Sequence, residues 1–235
     1  MENDPRHTNP QYEAGLDGLR ESLLKMGALV ESQIARAVEA LVNRDSAQAR
    51  ETVARDLEVN RMDVETDEHC IRLLALYQPA AGDLRLITTG LKITTDLERI
   101  GDNAVNICEC VLDFNEHPIP QACVGIPQMA AITRSMVRDS LEAFTRGDAA
   151  LAEQVIARDD EADSLNSQIY RQLLAIMAED PQMIPRATPI LFVSKYLERI
   201  ADHATNIAEM VVFIVKGRDI RHMDKQREIN PDAAV

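Results

Sequence analysis

The feature that most constrains this chain is a repeated segment. Residues 97–111, LERIGDNAVNICECV, align without a gap to residues 197–211, LERIADHATNIAEMV. Ten of the fifteen positions are identical, at a constant spacing of 100 residues. Because chance does not readily supply such a match, the sequence predicts an internal duplication. A chain built in this way folds as two similar halves.

Apolar residues recur at three- and four-residue steps along nearly the whole chain, and no sustained alternating pattern indicates strands. The first half contains three such helical segments, which end near residues 43, 79 and 117. The second half repeats the plan with helices over about 127–146, 148–179 and 186–217. Since short connections make consecutive helices antiparallel neighbours, the predicted fold is all-α, with two tandem three-helix bundles. The predicted boundaries are a flexible N-terminus at 1–12, bundles at 13–118 and 121–217, and a polar tail at 218–235.

Charge and composition exclude several classes of function. The 39 acidic and 25 basic residues give a formal net charge of −14, which repels nucleic acid and anionic membrane surfaces. Aromatic residues are scarce, with four Phe, four Tyr and no Trp, so few side chains are present on which nucleic-acid bases could stack. We therefore expect no direct nucleic-acid partner.

The expected compartment is the cytoplasm. The first twelve residues are polar and include two prolines, and the longest apolar run near the end, residues 210–215, is far shorter than the ~20 residues of a membrane span. The four cysteines have no CxxC spacing, which favours reduced thiols. No membrane insertion is predicted.

Paired carboxylates are the main candidates for chemistry. Glu98 and Asp102 are four residues apart, as are Glu198 and Asp202, so each pair shares one helix face. Folding the second helix back on the third, about residue 80, brings Asp56, Asn60 and Asp63 towards the first pair. The same fold about residue 183 brings Asp159, Asp163 and Asn206 towards the second pair.

The second helix of each half also places polar residues among apolar ones. The predicted apolar stripes are Val53, Leu57, Val64 and Ile71 in the first half, and Val155, Ile169, Tyr170 and Leu173 in the second. Asn60 and Asp67 fall on the first stripe, and Asp159, Asp163 and Asn166 on the second. Because partly buried carboxylates without a partner are costly, they require a cation.

The resulting prediction is one metal site, mononuclear or multinuclear, in each bundle. Sites built from oxygen ligands favour hard cations such as magnesium, calcium, manganese or iron over a structural zinc. The candidates are divalent or trivalent ions: iron, zinc, magnesium or manganese. Two alternatives stay open, namely that the acids form a solvated face, or that Arg99 and Arg199 neutralise them as ion pairs.

The repeated segments LERIGDNAVNI and LERIADHATNI, with the stretch QPAAGDLRLI at 78–87, resemble the signature of the PhoU family. The resemblance extends from about Leu16 to Lys216. It implies two three-helix bundles whose E/D-x-x-x-D motifs hold metal clusters on the surface, usually in a homodimer. It also implies a cytoplasmic negative regulator that couples a phosphate-importing ABC transporter to a membrane sensor histidine kinase.

The family motif matches Glu98 with Asp102, Glu198 with Asp202, and Asp159 with Asp163. In the first half Asp56 is followed four residues later by Asn60, where the resemblance leads us to expect an acid. The first metal cluster is therefore predicted to be the weaker one, or to use Asp63 and Asp67. The DLR segment at 83–85 has no counterpart in the second half.

Two other classes compete with this reading. A carboxylate-bridged di-iron oxidoreductase or a metal-storage bundle needs a histidine three residues after a ligating glutamate, and no E-x-x-H occurs. His203 follows Asp202 directly, points about 100° away from it on the helix, and is interpreted as a surface or packing residue. The other competitor is a plain helical adaptor whose acids serve solubility. Since no nucleophile and base pair or Gly-rich phosphate loop is found, the chain is predicted not to be an enzyme.

Overall fold

The computed structural model describes residues 9–114 and 125–217, and within these ranges all regular structure is helical. The helices are α1 (Pro10–Asn43), α2 (Ser46–Tyr77), α3 (Ala81–Phe114), α4 (Gly125–Arg146), α5 (Ala149–Ala157), α6 (Asp159–Glu179) and α7 (Ile184–Lys216). A short 3₁₀ turn at Pro181–Met183 joins α6 to α7. The predicted all-α fold with two helical repeats is confirmed. Residues 1–8, 115–124 and the predicted tail at 218–235 lie outside the described ranges.

Matching N-caps begin the second helix of each half. The carboxylate of Asp45 accepts hydrogen bonds from the backbone N–H groups of residues 47 and 48, and Asp148 does the same for residues 150 and 151. At the start of the chain Asn9 caps α1, and Pro10 occupies the first helical turn. Helix α1 therefore begins inside the segment 1–12 that was expected to precede the first bundle, and α4 begins two residues before the predicted start.

The second helix of the second half is interrupted, contrary to the prediction of one helix over 148–179. The interruption falls at Arg158, whose guanidinium binds Asp139 at 2.6 Å and the Ser135 hydroxyl at 2.9 Å on α4. The helix that follows has three acids in its first turn, at positions 159–161. Carboxylates at a helix N-terminus interact favourably with the helix dipole, so the new N-terminus suits this sequence.

The predicted apolar stripe of α2 is wrong. Leu57, Val64 and Ile71 are 75%, 56% and 61% exposed, and only Val53 is half-buried. The buried face of α2 consists instead of Ala49, Thr52, Val59, Thr66, Cys70 and Leu73. Small and hydroxyl-bearing side chains on this face let α2 pack closely against α1 and α3. In the second half the prediction is correct for Val155, Ile169 and Leu173, which are buried, but Tyr170 is exposed.

The two bundles share one continuous core, and they meet through α3 with α7 and through α1 with α4. Glu31 on α1 and Arg134 on α4 lie 3.3 Å apart. These positions differ by 103 residues, the offset that relates the starts of the two repeats. In both contacts, α1 with α4 and α3 with α7, equivalent helices pack against each other, as they do across a local twofold axis. The halves are thus arranged like two subunits of a symmetric dimer.

Three of the four cysteines lie in the described ranges, and all three are free thiols. Burial raises the pKa of Cys70 and Cys108 to about 12 and that of Cys110 to about 11. These thiols are therefore protonated and unreactive at neutral pH. Cys123 lies outside the described residues. None of the described helices has an apolar stretch long enough to cross a membrane.

Candidate metal centres

The first acidic cluster lies between α2 and α3, which pack as antiparallel neighbours. Asp56 and Asp63 on α2 face Glu98 and Asp102 on α3, as the hairpin geometry predicts. Burial raises the pKa of Glu98, and the nearby carboxylates of Asp102, Asp63 and Asp56 raise it further. Burial likewise raises the pKa of Asp56 and of Asp63. The four side chains therefore form one electrostatically coupled group.

Asp56 is held by two amide side chains. Gln33 Nε2 on α1 donates to Asp56 Oδ1 at 3.3 Å, and Asn60 Nδ2 donates to Asp56 Oδ2 at 3.0 Å. Both hydrogen bonds lower the pKa of Asp56 against the effect of burial. Asn60 thus belongs to the cluster as a donor, while its own side chain is exposed. A donor in place of a carboxylate leaves this cluster with one fewer negative charge than the sequence pattern would otherwise supply.

Gln33 was not singled out from the sequence. It is 1% exposed, and its Oε1 has no hydrogen-bond partner among the described residues. The sequence does contain an indication of its role, because Gln33 places a polar amide between Val30 and Ala37 on the otherwise apolar buried face of α1. Gly101 makes room for it, because a Cβ there would lie 3.3 Å from Gln33 Oε1 and 3.2 Å from Asp56 Oδ1.

Arg99 makes the ion pairs that one alternative anticipated. Its Nε lies 3.5 Å from Glu98 Oε2, and its Nη1 lies 3.4 Å from Asp102 Oδ2. The Arg99 side chain is 59% exposed, so both pairs are screened by water and contribute little to stability. Arg99 can release these carboxylates to another cation at low cost.

The second acidic cluster lies between α6 and α7. Asp159 and Asp163 on α6 face Glu198 and Asp202 on α7. Burial, followed by the carboxylates of Glu198, Asp159 and Asp163, raises the pKa of Asp202 from 3.8 to about 6. Burial and neighbouring acids raise the pKa of Asp159 and of Asp163 as well. This cluster has four carboxylates and no amide counterpart of Asn60.

Lys195 is the cation that sequence reasoning missed in the second cluster. Its Nζ forms an ion pair with Glu198 Oε2 from one turn earlier on α7. The equivalent position of the first half is Thr95, which carries no charge. Lys195 also lowers the pKa of Asp163 and Asp202, so the lysine partly offsets the mutual repulsion of these acids.

Asn206 and His203 lie on the side of α7 that meets the first bundle. His203 Nδ1 is 2.8 Å from Asp96 Oδ1, and Asn206 Nδ2 is 3.4 Å from the same oxygen. Asn206 is therefore the one predicted site residue that is not brought into its cluster by these contacts. The interpretation of His203 as a packing residue agrees with its position, and its partner Asp96 was not predicted.

The arrangement fits a hard cation in its donor chemistry. Asp159 Oδ1 is buried and accepts no hydrogen bond from the described part of the chain, although the Thr205 hydroxyl lies close enough to lower the pKa of Asp159. Carboxylates with raised pKa values and few donors gain most from a shared positive ion. In the described part of the chain, no three Asp, Glu, His or Cys side chains already converge on one point as ligands. Rotation of the flexible carboxylates would have to accompany metal binding.

Comparison with known proteins identifies the family. The model of the PhoU domain matches this chain twice, over residues 23–111 and 126–211. The chain belongs to the PhoU family. These two matches cover the two bundles and set the offset of 103 residues between their first helices. They also include all four helices that carry the acidic clusters.

Individual PhoU proteins are similar over almost the whole chain. The phosphate-specific transport system accessory protein PhoU homolog of Pseudomonas putida is 42% identical over 94% of this chain and 87% of its own length. The corresponding protein of Escherichia coli K12 is 37% identical over 93% of this chain and 90% of its own length.

Solved structures agree with the fold. The crystal structure of PhoU from Pseudomonas aeruginosa has a TM-score of 0.86 at 40% identity, covering 88% of this chain and all of that one. The phosphate transport system regulatory protein PhoU from Streptococcus pneumoniae has a TM-score of 0.83 at 29% identity, covering 89% of this chain and 99% of that one.

Proposed function

We propose that this chain is the accessory regulatory protein of a phosphate transport system and restrains the phosphate-starvation response when phosphate import is adequate. One observation supports this most directly: proteins named as phosphate-specific transport system accessory proteins match it over more than nine-tenths of its length. Their names describe accessory and regulatory proteins rather than enzymes. The proposed role is therefore non-enzymatic.

The proposed mechanism is that of a cytoplasmic adaptor. The chain docks on a phosphate-importing ABC transporter and on a membrane sensor histidine kinase, and it shifts the kinase towards its inhibitory state. The twofold arrangement of the bundles supports this idea, because it places two similar acidic clusters on one rigid body. Proteins with basic cytoplasmic segments are attracted to such a surface.

Metal binding at the two clusters is part of the proposal. The residues that would hold an ion are Asp56, Asp63, Glu98 and Asp102 in the first cluster and Asp159, Asp163, Glu198 and Asp202 in the second. A bound divalent or trivalent ion, with iron, zinc, magnesium and manganese as candidates, neutralises the carboxylates and crosslinks adjacent helices. Oxygen ligands from two helices suit hard cations best.

The acidic surface can be tested by charge reversal. We expect Glu198→Lys with Asp202→Lys to derepress an alkaline phosphatase reporter in phosphate-replete cells that carry this chain as their only PhoU protein. The matched control is Asp17→Lys with Glu21→Lys, which makes the same change of charge at exposed positions of α1, away from both clusters. Full repression by the first double variant, at normal protein levels, would place the contact on another surface.

Metal binding has its own test. Protein purified without chelator should contain close to one or more equivalents of metal by elemental analysis, and chelation should lower its thermal unfolding midpoint. Asp159→Asn with Asp163→Asn should lose the metal of the second cluster, whereas Asp17→Asn with Glu21→Gln, exposed on α1, should not. Less than about a tenth of an equivalent of any such ion would reject this part of the proposal.

The di-iron alternative receives no support from the described histidines. His203 binds Asp96, and His69 packs near Gly15 and Gly18 on α1. Neither imidazole reaches an acidic cluster, so di-iron chemistry with histidine ligands is not proposed. The homodimer implied by the family resemblance is retained as part of the proposed function.

A further inference from the structure

Helix α2 carries an exposed apolar stripe that its own bundle does not use. Leu57, Val64 and Ile71 are 75%, 56% and 61% exposed. Their spacing of seven residues keeps them on one face of the helix, about 10 Å apart along its axis. In residues 9–114 and 125–217 the core packs against the opposite side of α2, so this stripe faces away from the rest of the bundle.

The stripe has the pattern of a coiled-coil seam. A second set of positions, also spaced by seven and also exposed, completes it: Ala54, Arg61, Glu68 and Ala75. The two sets alternate at steps of three and four residues, as the a and d positions of a heptad do. The seam extends over 54–75, about 32 Å of helix at 1.5 Å per residue.

We propose that this face of α2 binds the same face of a second copy of the chain, in an antiparallel pairing centred on Val64. This inference rests on the homodimer of the proposed function and assigns its surface. In such a pairing Val64 meets Val64 of the partner subunit at the twofold axis. Leu57 then meets Ile71 of the partner subunit, so the exposed apolar side chains cover one another.

The charges along the seam are complementary under the same twofold axis. Arg61 lies opposite Glu68 of the partner subunit within the seam. At its edge Glu58 lies opposite Arg72 of the partner subunit, and each of these pairs occurs twice in the dimer. Among the described residues Arg61 makes one ion pair, an exposed contact to Glu65 at 3.7 Å, which a carboxylate of a partner can replace.

A second copy of the chain explains this order of charges better than another partner does. Read outwards from Val64, the charged residues of the seam and its edge are Glu65, Glu68 and Arg72 on one side and Arg61 and Glu58 on the other. Glu65 lies near Arg61 of its own chain. Reversing the direction of the helix exchanges the signs of the other four charges, as an isologous contact requires. Binding to a different protein imposes no such symmetry.

The proposed contact leaves both metal candidates of α2 accessible. Asp56 and Asp63 each precede a stripe residue by one position, which places them about 100° around the helix. Their side chains face α3, as the coupling to Glu98 shows. Dimer formation and metal binding therefore use different faces and can be tested separately.

The test is a charge-swap cycle measured by sedimentation velocity over a concentration series of the full chain. We expect wild type to form a dimer, and Arg61→Glu and Glu68→Arg each to weaken it at least about tenfold. The double variant Arg61→Glu with Glu68→Arg should recover dimerisation. Because the single variants change net charge in opposite directions, a general charge effect cannot weaken both.

Val64→Glu provides a second probe, since it places two carboxylates together at the axis. Its control is Val42→Glu at the end of α1, where the wild-type side chain is 59% exposed. Helical content by circular dichroism should be unchanged in all variants. A monomeric wild type would overturn both the homodimer and its surface. A dimer that resists the single charge reversals would overturn the surface alone and leave the homodimer standing.

Discussion

His203 Nδ1 lies 2.8 Å from Asp96 Oδ1 and so joins α7 of the second bundle to α3 of the first. Both side chains are mostly buried, and Asn206 also approaches the same carboxylate, at 3.4 Å. At the equivalent positions, 100 residues away in each case, stand Asn103 and Tyr196. The polar contact between the bundles is therefore specific to one side of the twofold axis.

Removing this carboxylate should weaken the junction of the bundles. Asp96→Ala leaves His203 and Asn206 without their acceptor, and we expect the free energy of unfolding to fall by about 1–2 kcal/mol. Urea denaturation followed by circular dichroism measures the change. Asp17→Ala removes an exposed ion pair with Arg20 and should cost less than about 0.5 kcal/mol. Equal effects of the two variants would show that the contact between bundles adds nothing.

Asp202 should make the metal-free protein more stable at mildly acidic pH. Its folded pKa of about 6 lies above the ordinary aspartate value of 3.8, so the native state binds an extra proton between these two pH values. The free energy of unfolding then falls as pH rises through this window, and the loss is complete above it. Because part of the Asp202 side chain stays open to water, which screens its interactions, we expect an effect of about 1 kcal/mol.

Asp202→Asn removes the titrating group and isolates its effect. In chelator-treated protein this variant should be the more stable one at pH 8, and it should show a flatter stability profile between pH 4 and about 6. The measurement is the denaturant midpoint of the variant and of wild type at several pH values across this range. A variant whose profile is as steep as that of wild type would assign the pH dependence to other carboxylates.

Asn60→Asp should strengthen the first metal cluster and weaken the metal-free fold. The change replaces the donor to Asp56 with a third cluster carboxylate on α2, so the lost hydrogen bond and the added repulsion together should cost about 0.5–1 kcal/mol without metal. In calorimetric titration with manganese, affinity at the first cluster should rise about tenfold. Gln172→Glu adds the same charge at an exposed position of α6 and should leave affinity unchanged. Unaltered titration of Asn60→Asp would exclude position 60 from metal binding.

Gly27→Ala should disturb the contact between α1 and α4. A Cβ at this buried position would overlap Leu141 Cδ1, so the buried leucine must move and we expect a loss of about 1–3 kcal/mol. Gly82→Ala is the matched change, because no described atom lies within 4 Å of its added methyl group. The higher helix propensity of alanine should leave that variant neutral or more stable by up to about 1 kcal/mol. The thermal unfolding midpoint should therefore fall in Gly27→Ala and stay the same or rise in Gly82→Ala.

The helical repeats were predictable because their information is local. Periodicity, the capping residue Asp45 and the duplicated segment all act within a few turns of one helix. The approach of Asp56 to Glu98 followed from the same reasoning, because a short hairpin fixes the register of neighbouring helices. The interruption at Arg158 depends on Asp139 of another helix, so the local pattern carried no sign of it.

The errors at α2 have a different physical origin. This helix has two candidate inward faces, and the large side chains at Leu57 and Val64 favour the wrong one by size alone. Close packing selected the face with Ala49 and Thr52 instead, since small side chains permit short distances between helices. Contacts between the bundles, such as Asp96 with His203, depend on docking that periodicity does not encode.

The meeting of Glu31 with Arg134 has a consequence for the ancestry of the chain. A single-repeat precursor could have buried the same apolar surface by pairing with itself, and fusion of two copies then removed the need to keep them identical. The two halves now differ at Lys195 and His203, whose counterparts in the first half are Thr95 and Asn103. Covalent linkage thus turned a symmetric pair into a molecule with two distinguishable sides, which a partner can approach in only one orientation.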